Sequence, residues 1–449
     1  MTTTPQTPEP ENIIVQDTAS VPAGRIARLA CLGSLATGVA GGMLAEGARQ
    51  LASGHRPSMG ELLMTPANAK RVTEELARLR GAAMKVGQLL SMDAGDLLPA
   101  ELAEILGRLR ADAKPMPMLQ LAKVLDENWG KYWKNKFQQF SFQPLAAASI
   151  GQVHEAHTKD GRHVALKIQY PGVRESIGSD VDNVATLLRI SSLIPKGIDY
   201  QPLLEEAKRQ LHQEADYMRE AEYMRQYQAL IADSPHYTLP TVYEDLTTEN
   251  ILAMQFLGGV PIETISYASQ AERDQVMTWL LNLLFREIFE FRLIQTDPNF
   301  ANYRYDQQRQ QLILLDFGAT REYPEKIAEG YRQLMQGAME HDRAKMDAAA
   351  AQIGFFQEYI RPEQREAVLD LFNQACEPLR WQGAYDFGSS SLAGRIRDAG
   401  LELSMEKDYW HTPPADALFL HRKLGGLYLL AAKLRAKVDV RSLFLPYLN

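Results

Sequence analysis

The stretch Gln295–Gly318, reading QTDPNFANYRYDQQRQQLILLDFG, constrains this chain more than any other. Asp297 precedes Asn302 by five positions, and Pro298 stiffens the loop between them. A short Tyr303–Tyr305 strand, a polar turn and the apolar run Leu312–Leu315 predict a β-hairpin that delivers Asp316 at the head of Asp-Phe-Gly. The hairpin carries a carboxylate loop at one end and a second carboxylate at the other. Phosphoryl transfer needs those parts. One acid, Asp297, accepts or orients the nucleophile's proton, and an oxygen pair, Asn302 and Asp316, holds Mg²⁺ against phosphates. Asp-Phe-Gly alone says little, because any strand can end in an acid and a turn glycine. The spaced combination is what points to this chemistry.

The chain has 449 residues, room for a two-lobed enzyme or two to three average domains. Its net charge of -8 offers no basic footprint, so nucleic acid is not an expected partner. Two cysteines, Cys31 and Cys376, stand too far apart in sequence to suggest a disulfide framework or a cysteine metal site, and they fit a reducing compartment. Residues 1–22, rich in Thr, Pro and Glu, read as a disordered tail and not as a targeting peptide.

Residues 23–118 read as an N-terminal helical extension. Leu29–Ala45 carries no charge, but seventeen helical residues span about 25 Å against a hydrocarbon core of about 30 Å, so a membrane span is not expected. Small residues recur every four positions (Ser34, Gly38, Gly42; Thr37, Gly41, Ala45), leaving a face for close packing on the protein itself, for a homodimer, or for a membrane interface. A second helix, Asn68–Met92, has an apolar stripe through Val72, Leu79 and Val86, with Lys85 and Gln88 on a neighbouring face. Lys114-Pro-Met-Pro117 then breaks the chain.

From residue 119 to 257 the period is that of strands. Phe140–Leu145 leads through the small-residue turn Ala146, Ala147, Ala148, Ser149 into Gln152–His157, a Lys159-Asp160-Gly161 turn and His163–Ile168. Lys167 sits inside that last strand and is placed to reach nucleotide phosphates. A buried lysine needs a carboxylate, and the helix read over Gln201–Ile231 offers Glu214, Asp216 and Glu220 without periodicity settling which one serves. Two further strands, Thr241–Leu246 and Ile251–Leu257, end near Gln255 and Leu257, whose backbone is placed to bond an adenine edge. Residues 258–449 read as a helical lobe whose buried core helix is Arg273–Ile294 and whose last helix is Ala415–Val438. Only Ala319–Pro324 separates Gly318 from the next helix, which leaves no activation segment for docking a peptide. The whole is an α+β, two-lobed, protein-kinase-like fold with a small β-rich N-lobe, a helical C-lobe and an N-terminal helical extension.

These motifs resemble the UbiB family of atypical kinase-like proteins, or aarF-domain kinases. The resemblance runs from about Arg25 onward and is carried by KVGQ (Lys85–Gln88), PLAAASIGQVH (Pro144–His154), VALKIQYPG (Val164–Gly172), EADYMREA (Glu214–Ala221), QTDPNFAN (Gln295–Asn302) and LLDFG (Leu314–Gly318). It implies that Lys85 and Gln88 lie on a regulatory helix across the place a protein substrate would occupy, held by Glu214 and Asp216. It also implies that Glu220 pairs with Lys167 and that Ala146–Ser149 replaces a glycine-rich loop. Asp297 matches the catalytic acid, and Asn302 and Asp316 match the metal ligands. Gln295 and DPNFAN stand where many members have histidine and DPHPGN, the pattern of the mitochondrial coenzyme Q branch and its bacterial relatives; the acid and the amide are retained.

The implied function is an ATP- and Mg-dependent atypical kinase or ATPase supporting ubiquinone biosynthesis, with ATP or ADP and Mg as cofactors. Its expected partners are a lipid or quinone-pathway enzymes at a membrane surface, and its expected location is cytoplasmic, peripheral to the inner membrane. No long apolar helix pair follows at the C-terminus, so no anchor is expected there. The alternatives are a nucleotide-gated lipid-binding scaffold with negligible turnover and a small-molecule phosphotransferase.

Overall fold

Strand alternation after residue 136 produces a five-stranded antiparallel sheet in a computed structural model that describes residues 41, 49–50, 81–83, 85–86, 115–190, 201–356, 360–405 and 414–448. The expected tail, the small-residue helix, most of the second helix and Gln88 lie outside the described residues. The sheet comprises β1 (Phe137–Phe140), β2 (Ala146–Ala147), β3 (Gly151–Thr158), β4 (His163–Gln169) and β6 (Ile251–Gln255), in the order β1-β3-β4-β6 with β2 paired to β3. Helix α1 (Met118–Trp129) covers one face with Leu121, Val124 and Leu125. Trp133 stacks edge-on against Phe137 and Phe140 beside it.

The period of two decides where Lys167 goes. Val164, Leu166 and Ile168 are each 0% exposed in the core beneath α1, so Lys167 between them must point to the opposite face. Slipping β4 by one residue would exchange it with those aliphatics, at about 1.5–3 kcal/mol each. The seven-residue register with β3 and the five-residue register with β6 pin it further.

Five expectations of extent are corrected. The strand expected at Phe140–Leu145 ends at Phe140, where Ser141 turns the chain by donating to the Gln143 carbonyl. Thr241–Leu246 is a turn with one bridge, Val242 to Met254, because Asp245 is drawn outward into a two-pronged bond with Arg162. The helix read over Gln201–Ile231 breaks into α3 (Gln201–Glu214) and α4 (Tyr217–Leu230), following α2 (Val173–Ile190). Asp216 makes the break, its carboxylate accepting from the Arg219 N–H at 3.1 Å as an N-cap. The core helix is α5 (Gln270–Arg286); one π-turn at Glu287–Phe291 and a left-handed Arg292 then redirect the chain into β8 (Leu293–Gln295).

The hairpin is as expected: β9 (Tyr303–Asp306) pairs antiparallel with β10 (Gln311–Leu314), flanked by β5 (Tyr237–Thr238) and β7 (Val260–Pro261). β11 (Thr320–Glu322) returns against β8. Helices α6 (Glu325–Glu340), α7 (Arg343–Ile353), α8 (Pro362–Ala375), α9 (Leu392–Met405) and α10 (Ala415–Leu434) complete the fold around α5. The last of these ends at a left-handed Arg435, four residues short of the expectation, and Lys437–Val438 becomes a strand against Tyr385–Asp386.

Candidate active site

Lys167, delivered by β4, and Glu220, delivered by the first turn of α4, meet in a buried pair: the Nζ donates to both carboxylate oxygens at 2.9 Å. Glu220 also accepts from the Phe317 N–H at 3.2 Å, which ties the helix to the Asp-Phe-Gly turn. Asp316 adopts a left-handed backbone, φ 59°, uncommon outside glycine. That conformation turns its Oδ1 toward Lys167 at 3.4 Å and the Gly318 N–H at 3.1 Å. Burial alone would lower the pKa of Lys167, but the Asp316 and Glu220 carboxylates outweigh it and hold the ammonium well above its ordinary value. Burial likewise opposes ionisation of Asp316, yet Lys167 and the Gly318 N–H keep its carboxyl below the usual range. Sequence alone left the partner of Lys167 open among three acids; the geometry selects Glu220.

The facing loop brings Asp297 and Asn302 together, the Asn302 Nδ2 donating to Asp297 Oδ2 at 2.8 Å. The amide oxygen of Asn302 and the second oxygen of Asp316 take no hydrogen bond from the described residues, so each has lone pairs to offer a hard cation. No cluster of three or more acids, histidines or cysteines exists among the described residues. A carboxylate and an amide without such a cage suit Mg²⁺, which keeps waters and phosphate oxygens in its shell. Burial pushes the Asp297 carboxyl up, with Lys85 opposing.

Lys85 forms an ion pair with Glu214, whose other oxygen accepts from Ser149 Oγ at 2.9 Å. One carboxylate therefore joins the second-helix residue to the alanine-rich turn. Gly81 packs on the same turn, its absent Cβ leaving 3.0 Å to the Ser149 carbonyl. Asp216, expected beside Glu214 in this contact, caps α4, and Gln88, the other expected member, lies outside the described residues. Ala146 and Ala147 form β2 opposite Val153 and Gln152, with Ala148 closing the turn through its N–H to Gly151. Gly151 is required there: a Cβ would fall 2.3 Å from the Ile168 carbonyl. Of the two expected adenine contacts, the Gln255 N–H is already given to Thr241, while the Leu257 N–H has no partner among the described residues.

Sequence reasoning missed a second layer. Glu287, fully buried in the π-turn, accepts from Tyr227 at 2.7 Å and from the Gln295 N–H at 3.0 Å, and pairs with buried Lys423 of α10. The Gln295 side chain then donates to the Asp316 carbonyl at 3.1 Å and accepts from Tyr303. Gly426 of α10 lies against Pro298, where a Cβ would meet the proline Cβ at 2.6 Å. A glutamate inside an apolar helix and the string HRKLGG near the chain's end were the available signals.

Residues 108–350 match the description ABC1 atypical kinase-like domain. The chain belongs to the ABC1 family. It is 39% identical over 426 residues to atypical kinase COQ8B, mitochondrial, of Rattus norvegicus, covering 94% of this chain and 80% of that protein. Against atypical kinase COQ8, mitochondrial, of Saccharomyces cerevisiae it is 38% identical, covering 95% and 85%. The fold is similar to that of Rv3197 from Mycobacterium tuberculosis, solved in complex with erythromycin, with a TM-score of 0.58, 25% identity, and 84% and 94% coverage. The two-lobed kinase-like architecture read from the sequence is thus the fold of this ABC1 protein. Atypical kinase or ATPase activity in support of ubiquinone biosynthesis is its function. Among the described residues no helix is long and apolar enough to cross a membrane.

Proposed function

We propose that this cleft binds ATP with Mg²⁺ and hydrolyses or transfers its terminal phosphoryl group while the protein rests peripherally on a membrane of the quinone pathway. The observation that carries the reading is the meeting of Lys167, Glu220 and Asp316 with Asp297 and Asn302, from four separate segments, around one cleft. Lys167, locked by Glu220, would hold the α- and β-phosphates, and Asn302 and Asp316 would hold Mg²⁺, which supplies charge neutralisation of the phosphate oxygens. Asp297, oriented by Asn302, would take the proton of the attacking hydroxyl or water. The Leu257 N–H would bond the adenine edge, and Ala146–Ser149 would cover the phosphates with methyl groups where glycine would admit closer approach. The Lys85–Glu214–Ser149 bridge would restrain that cover, with Gln88 acting beside it. Lipid or pathway enzymes would be the effectors.

Phosphate release from purified protein tests the assignment. Asp297→Asn is expected to lower turnover about 10²–10⁴-fold with nucleotide affinity retained. Asp316→Asn is expected to weaken Mg-dependent nucleotide binding itself. Parental turnover in either variant would refute it. The Lys85 bridge also favours a second reading, a nucleotide-gated scaffold, and binding without phosphate release both with and without anionic liposomes would select that one.

A further inference from the structure

Arg422 of α10 stands apart from the other cations around the cleft. It lines a small surface recess together with Lys85, Thr296, Asp297, Gly318 and Arg321. Lys85 is paired with Glu214, and Arg321 with Glu206 at 3.1 Å and Asp416 at 3.5 Å. Arg422 has no carboxylate within ion-pair distance among the described residues; its described contact is the Phe419 ring, 5.7 Å to the centroid. Burial lowers its pKa, opposed only by the more distant charges of Asp297 and Glu214.

A half-buried guanidinium with no counter-ion among the described residues is costly, and its planar fork of donors matches a tetrahedral oxyanion. The opposite side of the recess explains the need. The loop from Asp297 to Asn302 reads DPNFAN and contains no lysine or arginine. Lys167 is held deeper, between Glu220 and Asp316. Phosphoryl transfer is stabilised almost wholly by positioned charge, so a cation facing Asp297 would add to the Mg²⁺ that Asn302 and Asp316 would hold. The contact of Gly426 with Pro298 seats α10 directly on this loop, one helical turn beyond Arg422.

We propose that the Arg422 end of the recess is a subsite for a phosphate dianion, the terminal phosphoryl group of the nucleotide as it departs and the inorganic phosphate that hydrolysis leaves. The proposal rests on the nucleotide reading above. It assigns a role to α10, an element that lies outside every recognised motif.

The test measures inorganic phosphate binding to the full chain by calorimetry, alone and with MgADP, and phosphate inhibition of ATP hydrolysis. Arg422→Gln is expected to weaken phosphate binding about ten- to a hundredfold while the affinity for MgADP stays within twofold. Arg422→Lys, which keeps the charge and loses the fork, is expected to fall between and serves as the test should the glutamine variant not fold. Equal phosphate affinity in parent and variants, or no phosphate binding in either condition, overturns the subsite. Arg422-dependent phosphate binding in a parent that ignores MgADP upholds the subsite and removes the nucleotide reading instead.

Discussion

Asp216 has a structural task of its own besides the motif it matches. Its carboxylate caps α4 two residues after α3 ends, which sets the angle at which Glu220 reaches Lys167. Asp216→Ala is expected to cost about 1 kcal/mol of stability in chemical denaturation, while Asp216→Asn, which keeps the acceptor, is expected to lose little. If the acid instead served the Lys85 helix through its charge, both substitutions would alter activity equally. Positions were legible where the pattern fixes them: Lys167 by the strand period, Asp297 and Asn302 by their spacing, Asp316 by the hairpin. The identity of the Lys167 partner was not, because a helix read as continuous places Asp216 and Glu220 on one face, and only the break separates them.

At the scale of elements, α10 carries more than its apolar face. Gly426 to Ala would normally favour a helix by about 1 kcal/mol. Here a methyl group must push against Pro298, so the same change is expected to displace the catalytic loop and lower kcat, with far-ultraviolet dichroism unchanged. The buried pair of Lys423 and Glu287 makes a sharper case. Lys423→Met alone strands a buried carboxylate and is expected to cost about 3–5 kcal/mol, whereas Lys423→Met with Glu287→Gln should recover most of that loss. A double-mutant cycle on denaturation midpoints measures the difference. None of this was readable beforehand, since the residues involved are 136 positions apart and neither belongs to a recognised pattern. Helix limits failed for a related reason: a π-turn, a left-handed cap and an aspartate N-cap are local choices that tertiary contacts settle.

For the whole molecule, the pH response should report on the helical lobe. His421 of α10 is packed flat on Phe355 at 5.3 Å and bonds Tyr331 at 3.0 Å; burial lowers its pKa to about 4. Below about 6.5 the unfolded chain takes up a proton that the folded one refuses, so stability is present above that value and is lost as the pH falls toward 4. The slope is at most about 1.4 kcal/mol per pH unit. His421→Phe is expected to flatten this limb in urea titrations at pH 7 and 4.5; an unchanged limb would assign the acid loss to other groups. The lobe architecture itself was legible from the strand-to-helix change of period and from the run of apolar residues in α5, which any packing must bury.

The lateness of α10 has a biosynthetic consequence. Every motif by which the chain is recognised has left the ribosome by Gly318, yet the counter-charge for Glu287, the brace on Pro298 and the Arg422 guanidinium all arrive a hundred residues later. A nascent or prematurely terminated chain ending before residue 415 would hold all the recognised catalytic groups and lack the helix that holds their loop in place.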